Sequence, residues 1–175
     1  MDRQVKSLQQ LTLQAQLLAS RAILDNMYEY KATLVKVVDG DTVDVDIDLG
    51  FGMWIHNERV RIMGIDTPES RTRDLTEKKF GLAAKARLIQ LLSDDSIVLK
   101  TQISKKGEDM KGKFGRILGD FHVHYAPQDK LMSVSQILVT EGHAVDYYGG
   151  SKEELVEAHL VNRARLIAEG VVNDD

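Results

Sequence analysis

The chain contains no cysteine. Disulfides, thiolate catalysis and cysteine-based zinc sites are therefore excluded, and no redox compartment is implied. No apolar run approaches the roughly 20 residues needed to span a bilayer. The opening stretch MDRQVKSLQQLTLQAQLLAS is broken by Gln and Ser and does not read as a secretory signal, so a cytoplasmic location is expected. An excess of positive charge is also missing. The 23 Lys and Arg residues face 27 Asp and Glu, a net charge of −4, so any site for a polyanion must be a local patch. No internal repeat or low-complexity linker divides the 175 residues, which favours one domain with an appended element. What is present is ordinary for a globular protein with a core: 43% apolar and 29% charged residues.

Residues from about 3 to 28 hold neither Gly nor Pro. Val5, Leu8, Leu11 and Leu18, then Ile23, Leu24 and Met27, recur at roughly helical spacing. A helix of ~25 residues would be ~38 Å long at ~1.5 Å per residue. The expectation is a helical extension over 1–30, able to pack on the domain that follows or to pair with a second copy.

The period then changes. Ala32 to Val38 and Val43 to Leu49 are rich in β-branched residues and flank Asp39-Gly40-Asp41-Thr42, which reads as a hairpin. In the second run Val43, Val45, Ile47 and Leu49 alternate with Asp44, Asp46 and Asp48, giving one apolar and one acidic, solvated face. Further strands are expected at Glu58 to Ile65, Ile97 to Gln102 and Arg116 to Val123. Helices are expected at Thr76 to Leu92, with Ala83, Ala84, Leu88 and Leu91 inward, and at Val134 to Thr140. A last helix opens on the capping box Ser151/Glu154, is read as burying Val156, Leu160, Ala164 and Ile167, and stops at Gly170. Five short strands with interleaved helices predict an α+β fold, mainly β, over 31–175: a small closed barrel with three packed helices.

Three segments can carry chemistry. Asp39-Gly40-Asp41-Thr42 is a common turn by itself, but Asp41 shares strand parity with Val43 and Val45. It should point towards the barrel, where a carboxylate needs a counter-charge or a metal. Arg61-Ile62-Met63-Gly64-Ile65-Asp66-Thr67-Pro68-Glu69 delivers an arginine into a polar turn. Arg61 and Asp66 are five apart, so they share a site only if the strand bends, and Gly64 is where it can. Lys111-Gly112-Lys113-Phe114-Gly115-Arg116 is a basic loop entering a strand. It reads as a solvated turn or as a guanidinium placed for bidentate phosphate contact.

In that order, Asp39-Gly40-Asp41-Thr42-Val43, Arg61 with Asp66-Thr67-Pro68-Glu69, and Phe114-Gly115-Arg116 resemble the staphylococcal (thermonuclease) nuclease family over about 31–172. The resemblance implies a five-stranded OB-type barrel with three helices. It implies calcium-dependent cleavage of DNA and RNA to 3′-phosphate and 5′-hydroxyl ends. By position, Asp41 and Asp66 resemble the calcium-ligating carboxylates and Thr67 the residue offering its backbone carbonyl. Glu69 resembles the carboxylate that orients or deprotonates water, and Arg61 and Arg116 the arginines that grip the scissile phosphate. Lys113, Phe114, Tyr147 and Tyr148 are weaker candidates for substrate contact. Phe114 departs from the family's usual tyrosine.

A longer stretch at 48–57 (DLGFGMWIHN) is a second departure, either a rim narrowing access or a hydrophobic flap. Arg71, Arg73, Lys78 and Lys79 could supply the local positive patch. His122 and His124 share a strand face without a third ligand, and His143 and His159 are read as structural. Two competing readings remain. One is an OB-type module that binds nucleic acid or protein without cutting, and the other is an assembly protein using its N-terminal helix.

Overall fold

The computed structural model describes residues 27–93, 97–102, 115–148 and 151–173. The helix expected from the N-terminal segment lies outside the described residues up to position 26, as does any self-association through it. Residues 27–30, assigned to that extension, are instead strand: Tyr28 and Tyr30 pair with Thr101 and Leu99. Aromatic side chains favour such a pleated, half-buried surface.

The first strand, β1 (Met27–Asp39), turns at Gly40 and Asp41 into β2 (Thr42–Gly50), the expected hairpin. Next, β3 (Met53–Ile62) runs back along β2, pairing Thr42 with Arg61, Asp44 with Arg59 and Asp48 with Trp54. The stretch 48–57 continues the β2–β3 pairing. It is the end of a β2–β3 ribbon that turns at Phe51 and Gly52, and Phe51, Met53 and Trp54 stand exposed on it.

Two more strands complete the barrel. β5 (Ile97–Gln102) pairs antiparallel with β1, and β6 (Ile117–Tyr125) antiparallel with β5. The start of β6 closes the ring by pairing parallel with the end of β3, where Arg61 meets Leu118. The result is a closed five-stranded OB-type barrel in the order β3-β2-β1-β5-β6, with the short β7 (Lys130–Ser133) beside β6. A separate small ladder joins β4 (Ile65–Asp66) to β8 (Val145–Asp146).

Three α-helices occur among the described residues: α1 (Leu75–Leu91), α2 (Val134–Thr140) and α3 (Lys152–Ala168). Val43, Val45, Val60, Leu99 and Phe121 fill the barrel, and Leu88 of α1 with Ile137 and Leu138 of α2 join the same core. Each such side chain contributes ~1.5–3 kcal/mol by leaving water. None of the described helices is long and apolar enough to cross a membrane.

Two local expectations need correction. The acidic face of β2 is not simply solvated. Asp44 is buried and takes a bidentate pair from Arg59 at 2.7 and 2.9 Å, while Asp46 accepts from Asn57 N at 2.8 Å and meets His56 at 3.0 Å.

The second correction concerns α3. Its Ser151/Glu154 capping box is present and it ends before Gly170, but Val156 and Leu160 are 54% and 55% exposed and Ala164 is exposed too. Only Ile167 of the expected face is partly buried. The helix instead turns inward a mixed face of Leu155, Ala158, His159, Asn162, Arg163, Leu166 and Ile167. Asn162 Nδ2 donates to Ala144 O at 2.9 Å, Arg165 Nη1 to Thr140 O at 2.8 Å, and Arg163 lies 5.4 Å from the centre of the Phe80 ring. Leu166 is buried with Phe80 and Val172 beneath it.

Candidate active site

Strand β3 delivers Arg61 and then breaks at Met63 and Gly64, where Gly64 takes φ +74. That bend brings Asp66 back to the side on which Arg61 points. Arg61 spans the bend: Nη1 donates to Ile62 O and Nη2 to Ile65 O, both at 3.1 Å. Nη1 also lies 2.7 Å from Asp41 Oδ2, and Nη2 3.8 Å from Asp66 Oδ1. One guanidinium therefore joins the β1–β2 turn to the segment leaving β3, as the sequence required for a shared site.

The segment 67–70 is fixed from two sides. Asp39 Oδ1 accepts from Gly40 N at 3.1 Å and Ser70 N at 3.2 Å, tying the hairpin turn to it. From above, α1 packs directly on its backbone. A Cβ on Gly81 would sit 2.5 Å from the Glu69 carbonyl carbon and 2.6 Å from Ser70 N. The helix is aligned for this by Asp74, whose Oδ1 accepts from Thr76 N and Glu77 N at 2.9 and 3.1 Å.

These elements surround one open cleft of about 360 Å³, lined by the carboxylates Asp39, Asp41, Asp66 and Glu69 and by the guanidiniums Arg59, Arg61, Arg71 and Arg116. Burial pushes the Asp41 carboxyl above its ordinary range, against the pull of Arg61 and of hydrogen bonds from Thr42 and Thr67. Partial desolvation likewise raises Glu69, and the neighbouring Asp39 and Asp41 raise it further.

The donor set fits a hard divalent cation. Asp41 and Asp66 line the cleft with carboxylates, whereas Thr67 is buried beside Gly40 and is not part of the lining, so it would add only its backbone carbonyl. Among the described residues, no three His, Cys, Asp or Glu side chains form a group able to hold a metal by themselves. A cation here would rest on those two carboxylates, the carbonyl and solvent, an arrangement suited to weak binding.

Comparison with known proteins follows the same residues. Positions 59–165 match the family model described as staphylococcal nuclease homologue. The chain belongs to that family. The matched stretch includes Arg61, Asp66, Thr67, Glu69 and Arg116, while Asp41 precedes it. A micrococcal nuclease of Shigella flexneri is 33% identical over 129 residues, covering 69% of this chain and 62% of that protein. An uncharacterised protein of Methanocaldococcus jannaschii is 25% identical over 142 residues, covering 72% of this chain and 63% of that protein. The chain thus spans just over three fifths of the length of these two curated relatives.

Not every candidate of this family member reaches the cleft. Tyr147 and Tyr148 line a neighbouring cleft of about 500 Å³ with Asp146 and the start of α3. They flank the bend, since Tyr147 N donates to Gly64 O at 2.8 Å and the Tyr148 ring packs over Gly64. Lys113 and Phe114 lie outside the described residues.

Three cleft or near-cleft groups were not singled out from the sequence. Asp39 appeared only as a turn residue. Arg59 has the parity of Arg61, two positions on, and pairing Asp44 across the hairpin would have exposed it. His159, read as structural, places Nε2 2.9 Å from Asp66 Oδ2. No sequence signal links residues 93 positions apart.

Proposed function

We propose that the chain is a calcium-dependent phosphodiesterase that hydrolyses DNA or RNA to products with 3′-phosphate and 5′-hydroxyl ends. The observation that carries this reading is the convergence of Asp41, Asp66 and Glu69 with Arg61 and Arg116 on one open cleft. The family membership and the likeness to a micrococcal nuclease support it.

In this reading Asp41, Asp66 and the Thr67 carbonyl hold Ca²⁺, and Arg61 and Arg116 grip the scissile phosphate through forked N–H donors. When bound, the cation would offset the charge that builds on the phosphate oxygens. Glu69 orients a water for in-line attack and takes its proton, while the bond from phosphorus to the 5′ oxygen breaks and that oxygen takes a proton from solvent. Partial burial, and after it the neighbouring Asp39 and Asp41, raise the basicity of Glu69, which suits it to accept that proton. Tyr147 and Tyr148, the latter 86% exposed, offer ring faces on which a base can stack, and Lys113 and Phe114 belong to the same reading. A cytoplasmic location and self-association through the N-terminal segment complete it; fractionation and sedimentation test those two parts.

The test is cleavage of single-stranded DNA and RNA with Ca²⁺, with Mg²⁺ and with chelator, beside a Glu69→Ala/Arg116→Ala variant. Calcium-dependent cutting that the variant lacks, with 3′-phosphate ends, is the expected result. Binding without cutting by the unmodified protein would favour the OB-type binding module.

A further inference from the structure

Asp66 is held from two directions. Its Oδ1 lies towards Arg61, 3.8 Å from Nη2, and its Oδ2 is 2.9 Å from His159 Nε2. An ionised carboxylate only accepts hydrogen bonds, so the imidazole donates its Nε2–H. The His159 side chain is well enclosed, 13% exposed against 35% for Asp66. The helix carrying it is anchored without it, by Asn162 on Ala144 O, Arg165 on Thr140 O and the buried Leu166. The ring is therefore delivered by a fixed element rather than by a loop.

We infer that His159 is a positioning residue for Asp66: it captures Oδ2 so that Oδ1 faces the cleft and binds the cation alone. The inference rests on the proposed cation role of Asp66. The terminal torsion of an aspartate is broad, so without a partner the carboxylate can swing either oxygen into the cleft or turn both aside. A hydrogen bond from a docked helix removes that freedom before the cation arrives. Partners that orient metal-binding side chains in this way are worth roughly 10–100-fold in metal affinity.

The experiment is a Ca²⁺ titration of the full chain without nucleic acid, followed by ¹H–¹⁵N shifts of the Gly40, Asp41 and Thr67 amides, with thermal unfolding of the same samples. His159→Ala should weaken Ca²⁺ binding about tenfold or more. His159→Gln, whose amide donates at similar reach but carries no charge, should recover most of the loss. Wild-type Ca²⁺ affinity in His159→Ala overturns the inference, as does equal weakness of the Ala and Gln variants. A purely structural role would instead lower the unfolding temperature and leave the affinity unchanged. If the unmodified protein shows no Ca²⁺-dependent shift, the cation role of Asp66 fails first, and the inference falls with it.

Discussion

Arg61 Nη1 lies 2.7 Å from Asp41 Oδ2, and both side chains are largely enclosed, 20% and 13% exposed. The pair is at once part of the candidate site and a pin of the fold, since the same guanidinium bridges the carbonyls of Ile62 and Ile65. Removing the arginine leaves a buried carboxylate without its counter-charge. Arg61→Gln should therefore cost on the order of 3–5 kcal/mol. Adding Asp41→Asn should return part of that cost, because the stranded charge is gone. Urea unfolding of both single variants and the double variant checks this; strict additivity would show that the two groups do not act on each other.

Gly81→Ala sets two effects against each other. Alanine is a better helix former by ~0.8–1.0 kcal/mol. Its methyl group, however, would sit 2.5 Å from the Glu69 carbonyl carbon, which is backbone and cannot swing aside. Overpacking should win and destabilise the protein by ~1–3 kcal/mol, with a loss of any nuclease activity beyond that of stability. A stabilised, fully active Gly81→Ala protein would mean that α1 does not press on this segment.

Asp120 should give a measurable pH signature. Burial pushes its carboxyl up to about 6, although Ser135 and Phe121 N–H groups donate to it. The folded state then holds the proton more tightly than the unfolded state. Ionising Asp120 penalises the fold above pH 6, and the penalty fades as pH falls from about 6 towards 4. Between pH 7 and pH 4.5, the wild type should gain stability relative to Asp120→Asn. Paired thermal unfolding curves isolate this from carboxylates such as Glu141, where burial pushes the carboxyl up but bonds from Arg87 and Tyr125 together outweigh it and hold it below its usual range. A stability difference that does not vary with pH would contradict the assignment.

The third helix offers a contrast within one element. Val156→Gln and Leu160→Gln, on the exposed face, should each change stability by no more than about 0.5 kcal/mol. Leu166→Ala should cost ~2–5 kcal/mol, because that side chain is buried with Phe80 and Val172. Chemical denaturation distinguishes the two outcomes, and a large cost at Leu160 would show that its face is covered in solution.

Much of the fold was legible because its signals are local. Alternation marked β2, the Asp39-Gly40-Asp41-Thr42 turn marked the hairpin, and the Ser151/Glu154 box opened α3 where it was expected. The demand that Gly64 bend the chain between Arg61 and Asp66 was also visible, because only a bend lets residues five apart share a face. Less visible was anything that depends on what lies opposite. The stripe Val156, Leu160 and Ala164 of α3 was read as its buried face, yet the helix turns an adjacent, mixed face with His159, Asn162 and Leu166 inward. The residues at 48–57 looked like an insertion because the continued pairing of β2 with β3 is not written in either strand alone.

The sequence by itself marked the barrel's five strands and the three described α-helices, since each rests on neighbours within a few positions, while the six residues proposed for the chemistry came from the family resemblance. Tertiary structure alone decided that β3 closes on β6, that α1 presses Gly81 onto the Glu69 backbone, and that His159 holds Asp66. Those contacts join segments far apart in the chain. They exist only once the closed barrel has fixed where each helix can dock.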